Sequence, residues 1–278
     1  MQPKPSHLGL KYTEQFKDTS IVEVYHHREP HVPETIRHLA ELIRDTPRII
    51  LDAGCGLGDL ARLLVTGIEA VERVDAVDFS EPMVEKGKRM PGGDDPRLRW
   101  ICGAIEEVAL QPPYALIVAG DSVHWMEWEM VFPRFQQILT VQGSLAIVGR
   151  GTTANPWDED VRALCARYST NQEYAPYNLI EELEQRHLFQ LQGTLQTQPI
   201  PFVQSGEDYL LSLHSRNGLS YDRLSRADAR AFDEAVRSAI APFLHDGHLV
   251  LSVVNLMEWG QPLPGFPNAP SASNNFLG

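Results

Sequence analysis

Three glycines at alternate positions, 54, 56 and 58, separate an apolar run at 48–53 from a helical pattern at 59–66. Glycine permits the tight turn and the close approach of a ligand to the backbone that a strand-to-helix junction of this kind allows. In open α/β sheets, ligands bind at the carboxyl ends of the strands. This turn therefore predicts a ligand site at the end of the first strand of an α/β fold.

Strand-like and helical segments alternate after this turn. The predicted strands cover 73–78, 98–102, 114–119 and 144–148, and the predicted helices cover 81–89 and 127–139. The second helix has a standard start, because Ser80 can serve as its N-cap and Pro82 as its N1 residue. Strands that alternate with helices predict βαβ units and a mostly parallel sheet.

The charge balance argues against a nucleic-acid partner. The chain has 37 acidic and 24 basic residues among 278, a formal net charge of −13. Binding to a phosphate backbone needs clustered lysine and arginine side chains. We therefore expect a small-molecule substrate and no nucleic acid, and the sequence leaves the oligomeric state open.

The cysteine count and the apolar runs indicate the compartment. The three cysteines have no paired spacing, which predicts neither a disulfide framework nor a metal site. No run approaches the length of a membrane span, and no leader sequence is evident at the start. We expect a cytoplasmic protein that binds no metal and no membrane.

The second predicted strand ends in Asp78, 26 residues after Asp52. A carboxylate there can accept hydrogen bonds from both hydroxyl groups of a ribose. An Asp-x-Gly-x-Gly-x-Gly turn followed by an acidic strand end resembles the class I S-adenosylmethionine-dependent methyltransferases. The resemblance implies S-adenosylmethionine as cofactor. It also implies a set of cofactor-binding residues: Asp52, Gly54, Cys55, Gly56, Asp78, Phe79, Ala104, Ile105, Ala119 and Gly120.

A dinucleotide site is the main alternative. The NAD fingerprint is Gly-x-Gly-x-x-Gly, and counted from Gly54 its third glycine would fall at Asp59. A carboxylate there would face a pyrophosphate at a helix N-terminus, which is unfavourable. S-adenosylmethionine has no phosphate, so Asp59 favours the methyl donor over a nicotinamide cofactor.

Two further segments resemble small-molecule methyltransferases, in particular the group that contains trans-aconitate methyltransferase. They are residues 25–33, Tyr-His-His-Arg-Glu-Pro-His-Val-Pro, and residues 122–125, Ser-Val-His-Trp. The first departs from the family pattern by an inserted Glu29. The resemblance implies that Tyr25 and Arg28 contact the donor, and that His124 is the candidate catalytic base, since imidazole titrates near neutral pH. A structural role for His124 is the alternative.

The candidate substrate-binding residues are aromatic or basic and come from three parts of the chain: Tyr12, Phe16, Trp125, Trp128, Arg150 and Arg216. Arginine can clamp a substrate carboxylate, although each of these arginines suits an ordinary surface role as well. We expect methyl transfer to a small molecule by in-line displacement, with an oxygen or carboxyl acceptor favoured. The alternatives are N- or C-methylation of a small metabolite or natural product, or donor binding without transfer.

The resemblance implies a Rossmann-like, seven-stranded, mostly parallel sheet with helices on both faces and a helical cap over the cofactor edge. Further helices are predicted at 33–44, 158–168, 179–186, 206–214 and 225–244, an extended segment at 189–202, and a last strand at 248–257. The expected organisation is a lid at 1–33, a core at 34–150, a cap with one strand at 151–245, a C-terminal strand at 246–260 and a flexible tail at 261–278.

Overall fold

The structure, a computed structural model, describes residues 4–265. These residues contain one mixed sheet of eight strands, which run in chain order as β1 (Ile49–Ala53), β2 (Arg73–Asp78), β3 (Leu98–Cys102), β4 (Tyr114–Gly120), β5 (Leu139–Thr152), β6 (Phe189–Gln196), β7 (Ile200–Ser205) and β8 (His248–Pro262). The α/β class is confirmed, with eight strands where seven were expected.

The helices fall into an N-terminal group, a group that connects the parallel strands, and a group inserted before β8. They are α1 (Leu10–Thr13), α2 (Thr19–Val24), α3 (Pro33–Leu42), α4 (Asp59–Gly67), α5 (Glu81–Arg89), α6 (Trp128–Ile138), α7 (Asp158–Tyr168), α8 (Leu179–Gln185), α9 (Gly206–His214) and α10 (Arg226–Ile240). Short 3₁₀ turns lie at Ser6–Leu8, Glu14–Lys17, Tyr25–His27, Val123–Trp125 and Ala241–Phe243.

The strand order is β3-β2-β1-β4-β5-β8-β6, and β7 pairs with the remaining length of β8. Neighbours from β3 to β5 pair in parallel, whereas β8 is antiparallel to β5, β6 and β7. The carboxyl ends of β1, β2 and β4 therefore meet at one edge of the sheet. The order reverses between β1 and β4, which is where open α/β sheets form a ligand crevice.

Alternate residues along the parallel strands face opposite sides of the sheet, and each side has its own apolar core. Leu51, Ala53 and Ile117 pack with α6 and α8 on one side, whereas Ile50 and Leu116 pack with α3 and α4 on the other. Because both sides are covered, these strands are apolar along their length. This agrees with the prediction of a strand from the apolar run at 48–53.

One predicted helix, α5, has capping details that the structure shows. Ser80 is the N-cap of α5, since its Oγ accepts a hydrogen bond from the Met83 amide. The last turn of α5 carries Lys86, Lys88 and Arg89, and positive charge there stabilises a helix C-terminus. The bounds of α5 match the prediction, but Pro82 lies at N2 and not at the expected N1, because Glu81 is the first helical residue after the Ser80 N-cap.

Several expected boundaries change. Strand β5 covers 139–152 where 144–148 was predicted, so it crosses the expected core limit at residue 150. The 151–245 segment contains two strands, β6 and β7, where one was expected, because the extended run is interrupted at 197–199. The last strand reaches residue 262, so 261–262 belong to the sheet and not to a tail. Residues 266–278 of the expected tail lie outside the described residues.

The N-terminal segment packs between the core and the inserted helices. On the core side, the Ser80 hydroxyl donates to the Phe16 carbonyl, and Ile21 and Val22 pack against Leu57 and Met83. On the other side, residues 214–223 hold the segment, for example through the Arg223 guanidinium, which donates to the Asp18 carboxylate at 2.6 and 2.9 Å. The segment therefore covers the edge of the sheet where β1 and β2 end.

Candidate active site

The glycine turn after β1 needs glycine at the positions where neighbouring side chains approach most closely. Gly54 and Gly58 both have φ of +74°, a conformation that side chains disfavour. A Cβ atom on Gly54 would lie 2.5 Å from the Ser122 Cβ, and one on Gly58 would lie 2.3 Å from the Trp100 ring. The turn can thus bring its backbone close to both neighbours only without side chains.

Asp78 joins the glycine turn to the start of α5. One carboxylate oxygen accepts a hydrogen bond from the Gly56 amide and the other accepts one from the Ser80 amide, each at 2.8 Å. Burial raises the pKa of Asp78 to about 6, although the two backbone hydrogen bonds act in the opposite direction. Each oxygen accepts one backbone bond and keeps a lone pair for a further donor.

A first cavity of about 310 Å³ opens at this edge of the sheet, with a mainly apolar wall. Of the residues predicted to bind the cofactor, Tyr25, Gly54, Gly56, Asp78, Phe79, Ala104 and Ile105 line it. Met83, Glu106 and Glu107 also line it and were not predicted. An aromatic ring beside an acidic strand end suits a nucleoside. The ring offers a face on which the nucleobase can stack, and the carboxylate can accept hydrogen bonds from the sugar hydroxyls.

A second cavity of about 520 Å³ adjoins the first and is more polar. Of the predicted site residues, Arg28, His124, Arg150 and Arg216 line it. Phe16, Asp121 and Trp125 line both cavities, and these three residues are called the shared wall below. The structure thus separates the predicted residues into a set with Asp78 and a set with the arginines, and the two sets meet at the shared wall.

Other predicted residues do not line either cavity. The side chain of Trp128 is fully buried in the core and its ring N–H donates to the Val123 carbonyl, so the expected substrate contact is corrected to a packing role. Tyr12 is likewise buried, which corrects its expected role as a substrate contact. Ala119, Gly120 and Cys55 lie behind the cavity walls.

Asp52 lies beneath the glycine turn and not on the cavity wall. Its side chain is buried, and its Oδ2 has no hydrogen-bond partner among the described residues. Burial and the nearby Asp78 carboxylate raise the pKa of Asp52 to about 7. A buried carboxylate oxygen without a partner is unusual in a folded protein, and a cationic or hydrogen-bond-donating ligand group at the turn would stabilise its charged form.

Asp121 is a site residue that the sequence analysis missed. It follows β4 directly, has φ of +49°, and accepts hydrogen bonds from Arg150, from Nε at 2.9 Å and from the backbone amide at 3.2 Å. Burial favours its neutral form, but the Arg150 charge outweighs this and holds the pKa of Asp121 below its usual range. An acidic residue next to a glycine at a strand end was the available signal.

His124 and Arg28 belong to the second cavity and differ in how they are held. Burial lowers the pKa of His124 to about 4, so its imidazole is neutral near pH 7. Arg28 donates to the Ser215 hydroxyl and carbonyl at 2.8 and 2.6 Å, and its guanidinium lies 4.2 Å from the centre of the Tyr25 ring. Arg28 is thus anchored to the end of α9.

These features fit S-adenosylmethionine better than a dinucleotide. Asp78 and Phe79 offer the contacts that a nucleoside needs, and the unpartnered Asp52 oxygen lies at the turn. The first turn of α4 carries Asp59, paired with Arg62, where a pyrophosphate would need a positive helix end. Within the described part of the chain, no cluster of three or more histidine, cysteine, aspartate or glutamate side chains could hold a metal ion.

Comparison with known proteins agrees with this geometry. Residues 50–143 match a family described as a methyltransferase domain. A malonyl-[acyl-carrier protein] O-methyltransferase of Anoxybacillus flavithermus is 36% identical over 88 residues, 32% of this chain and 33% of the relative. The enzyme of the same name from Halalkalibacterium halodurans is 29% identical over 131 residues, 40% of this chain and 48% of the relative. The chain therefore matches less than half the length of either relative.

Solved structures show the same fold. A proposed type II methyltransferase from Anaeromyxobacter dehalogenans aligns with a TM-score of 0.59 at 21% identity, covering 85% of this chain and 99% of that one. Phosphoethanolamine N-methyltransferase 2 of Haemonchus contortus, solved with S-adenosyl-L-methionine, aligns with a TM-score of 0.51 at 17% identity. It covers 91% of this chain and 59% of that one.

None of the helices within residues 4–265 has both the length and the apolar character that a membrane span requires.

The glycine turn, the acidic end of β2 and strands β2 to β4 all lie within residues 50–143, the part of the chain that matches a methyltransferase domain. The central part of the chain is therefore a match to a methyltransferase domain, and the chain shares its fold with solved methyltransferase structures.

Proposed function

We propose that this chain transfers a methyl group from S-adenosylmethionine to an oxygen of a small polar molecule, by in-line displacement. The observation that carries the proposal is the meeting of two cavities at the shared wall, one with Asp78 and the glycine turn and the other lined by arginines. The cofactor, when bound, supplies a methyl group on a positively charged sulfur that is a good leaving group. The chain then has mainly to bind, align and exclude water.

In this proposal the first cavity binds the cofactor. The two Asp78 oxygens accept from sugar hydroxyls, the Phe79 ring packs against the base, and Ala104 and Ile105 contact its edge. Asp78 is ready for this role because its backbone bonds fix both oxygens before a ligand arrives. The names of the two O-methyltransferase relatives support transfer to oxygen, although the similarity covers less than half of each chain.

Calorimetry with S-adenosylhomocysteine, beside NADH, tests the cofactor. We expect S-adenosylhomocysteine to bind and NADH to give no heat, because Asp59 opposes a pyrophosphate at the start of α4. Labelled S-adenosylmethionine with a panel of small alcohols, phenols, acids and amines then tests the reaction. Transfer to nitrogen or carbon, or tight cofactor binding without transfer to any acceptor, would replace O-methylation by the corresponding alternative.

The pH dependence of cofactor binding follows from Asp78. Hydroxyl donors stabilise the carboxylate form, so the pKa of Asp78 falls on binding from its ligand-free value of about 6. The affinity for S-adenosylhomocysteine should therefore be constant well above that pH, and should fall by about tenfold per pH unit below it. Calorimetry across this range measures the effect, with the Asp52→Asn variant to separate the titration of Asp52. Affinity that rises as the solution is acidified would contradict the proposed contact.

His124 is the proposed proton acceptor, and its replacement separates chemistry from cofactor binding. We expect His124→Ala to lower kcat by about 10²-fold with an acceptor from the panel, which is the usual size of a general-base effect. The affinity for S-adenosylhomocysteine should stay the same, because His124 lines only the second cavity. The matched control is His245→Ala, since His245 is exposed and lines neither cavity. Equal kcat in the two variants would leave His124 a packing role.

A further inference from the structure

The charged side chains of the second cavity are not all available to a ligand. The Arg28 guanidinium is bound to Ser215, and the Arg150 guanidinium is buried and bound to Asp121. Each of these charges already has a fixed partner within the protein. A ligand that entered the cavity would gain little from them without breaking an existing bond.

Two other arginines on the same cavity have free hydrogen-bonding capacity. Arg162 lies on α7 with its side chain exposed, and no hydrogen bond or ion pair of its side chain occurs among residues 4–265. Arg216, just after α9, is half exposed and has one contact, at 3.4 Å to the Glu29 carboxylate. Both line the second cavity and neither belongs to the shared wall. Two guanidinium groups on the lining of one cavity can bind a carboxylate or phosphate group, although Glu29 and Asp158 line the same cavity.

Asp121 presents the opposite charge at the shared wall. Its carboxylate orientation is fixed by the Arg150 side chain and backbone, and its side chain remains about one quarter exposed, at 27%. The Arg150 charge favours the ionised form of this carboxylate. An ionised carboxylate accepts hydrogen bonds from hydroxyl or amine groups and repels another carboxylate. The group that reacts at the shared wall must be compatible with this neighbour.

We propose that the acceptor has two functional groups: an anionic group bound by Arg162 and Arg216, and a hydroxyl or amine that donates a hydrogen bond to Asp121 and receives the methyl group. This inference rests on the cofactor assignment of the proposed function, and an amine acceptor would replace the proposed oxygen by nitrogen. In the transfer, the new bond from oxygen or nitrogen to carbon forms as the carbon–sulfur bond breaks, and its electron pair stays on sulfur. The acceptor's proton, which for a hydroxyl is the one shared with Asp121, passes to His124 or to water as the hydrogen bond to Asp121 breaks. A carboxylate as the reacting group is disfavoured by the Asp121 charge.

Binding to the full chain, saturated with S-adenosylhomocysteine, tests this without a known substrate. Four probes share a phosphonate and differ at the other end: aminopropylphosphonate, hydroxypropylphosphonate, propylphosphonate and phosphonopropionate. Calorimetry should rank their affinities in that order. Aminopropylphosphonate should bind about tenfold more tightly than propylphosphonate, because it adds a hydrogen bond to a charged acceptor. The corresponding amino, hydroxy and plain carboxylates show whether the anion site prefers a phosphate or a carboxylate.

Variants of the cavity residues show which residues bind the phosphonate of a probe and which bind its other end. Arg162→Gln and Arg216→Gln should each weaken all four phosphonates by about three- to tenfold. Arg167→Gln should change none of them, since Arg167 lies on α7 as well but outside the cavity lining. Asp121→Asn, saturated with S-adenosylhomocysteine, should bring the amino and plain probes to equal affinity.

The wild-type ranking alone can overturn the inference, even if an Asp121 variant does not fold. Tightest binding of phosphonopropionate would make a carboxylate the reacting group, and equal binding of the amino and plain probes would remove Asp121 from recognition. Phosphonate binding that is absent, or that is unchanged in both arginine variants, would remove the anion site. Failure of the proposed function is distinguishable, because it would appear as loss of S-adenosylhomocysteine binding before any probe is added.

Discussion

Replacing Asp78 with alanine should weaken the binding of S-adenosylhomocysteine by about 10²-fold or more. Hydrogen bonds to a charged group contribute about 1.5–3 kcal/mol, and the proposed contact includes more than one hydroxyl. The variant also removes the acceptor of the Gly56 and Ser80 amides, so the glycine turn loses a fixed partner. Calorimetry on the folded variant measures the loss, and circular dichroism confirms that the sheet is intact.

Asp94→Ala is the matched control for this experiment. Asp94 is exposed in the loop between α5 and β3 and lines neither cavity. Its replacement should leave the affinity for S-adenosylhomocysteine unchanged. If Asp78→Ala binds the ligand as tightly as Asp94→Ala does, the carboxylate at the end of β2 does not contact the cofactor.

Replacing Trp128 with alanine should lower the free energy of unfolding by about 3–5 kcal/mol, the usual cost of a tryptophan or phenylalanine truncated to alanine in a core. Trp128 is fully buried at the start of α6, where it packs in the same core as Phe132 and Phe135 and donates a hydrogen bond to Val123. Urea unfolding measures the effect. Below the unfolding transition, the folded variant should bind S-adenosylhomocysteine with wild-type affinity.

Trp125→Ala provides the contrast, because the two tryptophans are three residues apart and have opposite environments. Trp125 lies on the shared wall, packs edge-on against the Phe16 ring at 5.4 Å, and is only partly buried. Its replacement should cost less stability than that of Trp128 and should weaken ligand binding more. The reverse pattern would show that the corrected role of Trp128 is itself mistaken.

Much of the fold could be predicted because local patterns and tertiary structure agree in its core. The α5 helix matches the prediction at both ends because Ser80 and the basic last turn define them locally. The end of strand β5 was underestimated because residues 149–152 are held by pairing with β8, more than 100 positions later, and not by an apolar run of their own. Short sequence windows carry no information about such pairing.

The site was predicted best where the chemistry depends on a local turn. The glycines and Asp78 lie together because a strand end fixes each of them, and the structure places them on one cavity. Aromatic residues were harder to assign, because the spacing of Trp125 and Trp128 does not indicate which one faces the core. Asp121 was missed because its orientation depends on Arg150, which comes from another strand.

The antiparallel pairing of β8 has a consequence for any attempt to shorten this protein. The match to the methyltransferase domain ends at residue 143, but residues 145–152 of β5 pair with residues 253–260 of β8. A fragment cut to the matched region would lose β8 and most of β5. Strand β4 would then be an exposed edge strand with unpaired backbone amides and carbonyls. Exposed edge strands form backbone hydrogen bonds with strands of other molecules. The fragment should therefore self-associate, and the family match does not mark a unit that can fold alone.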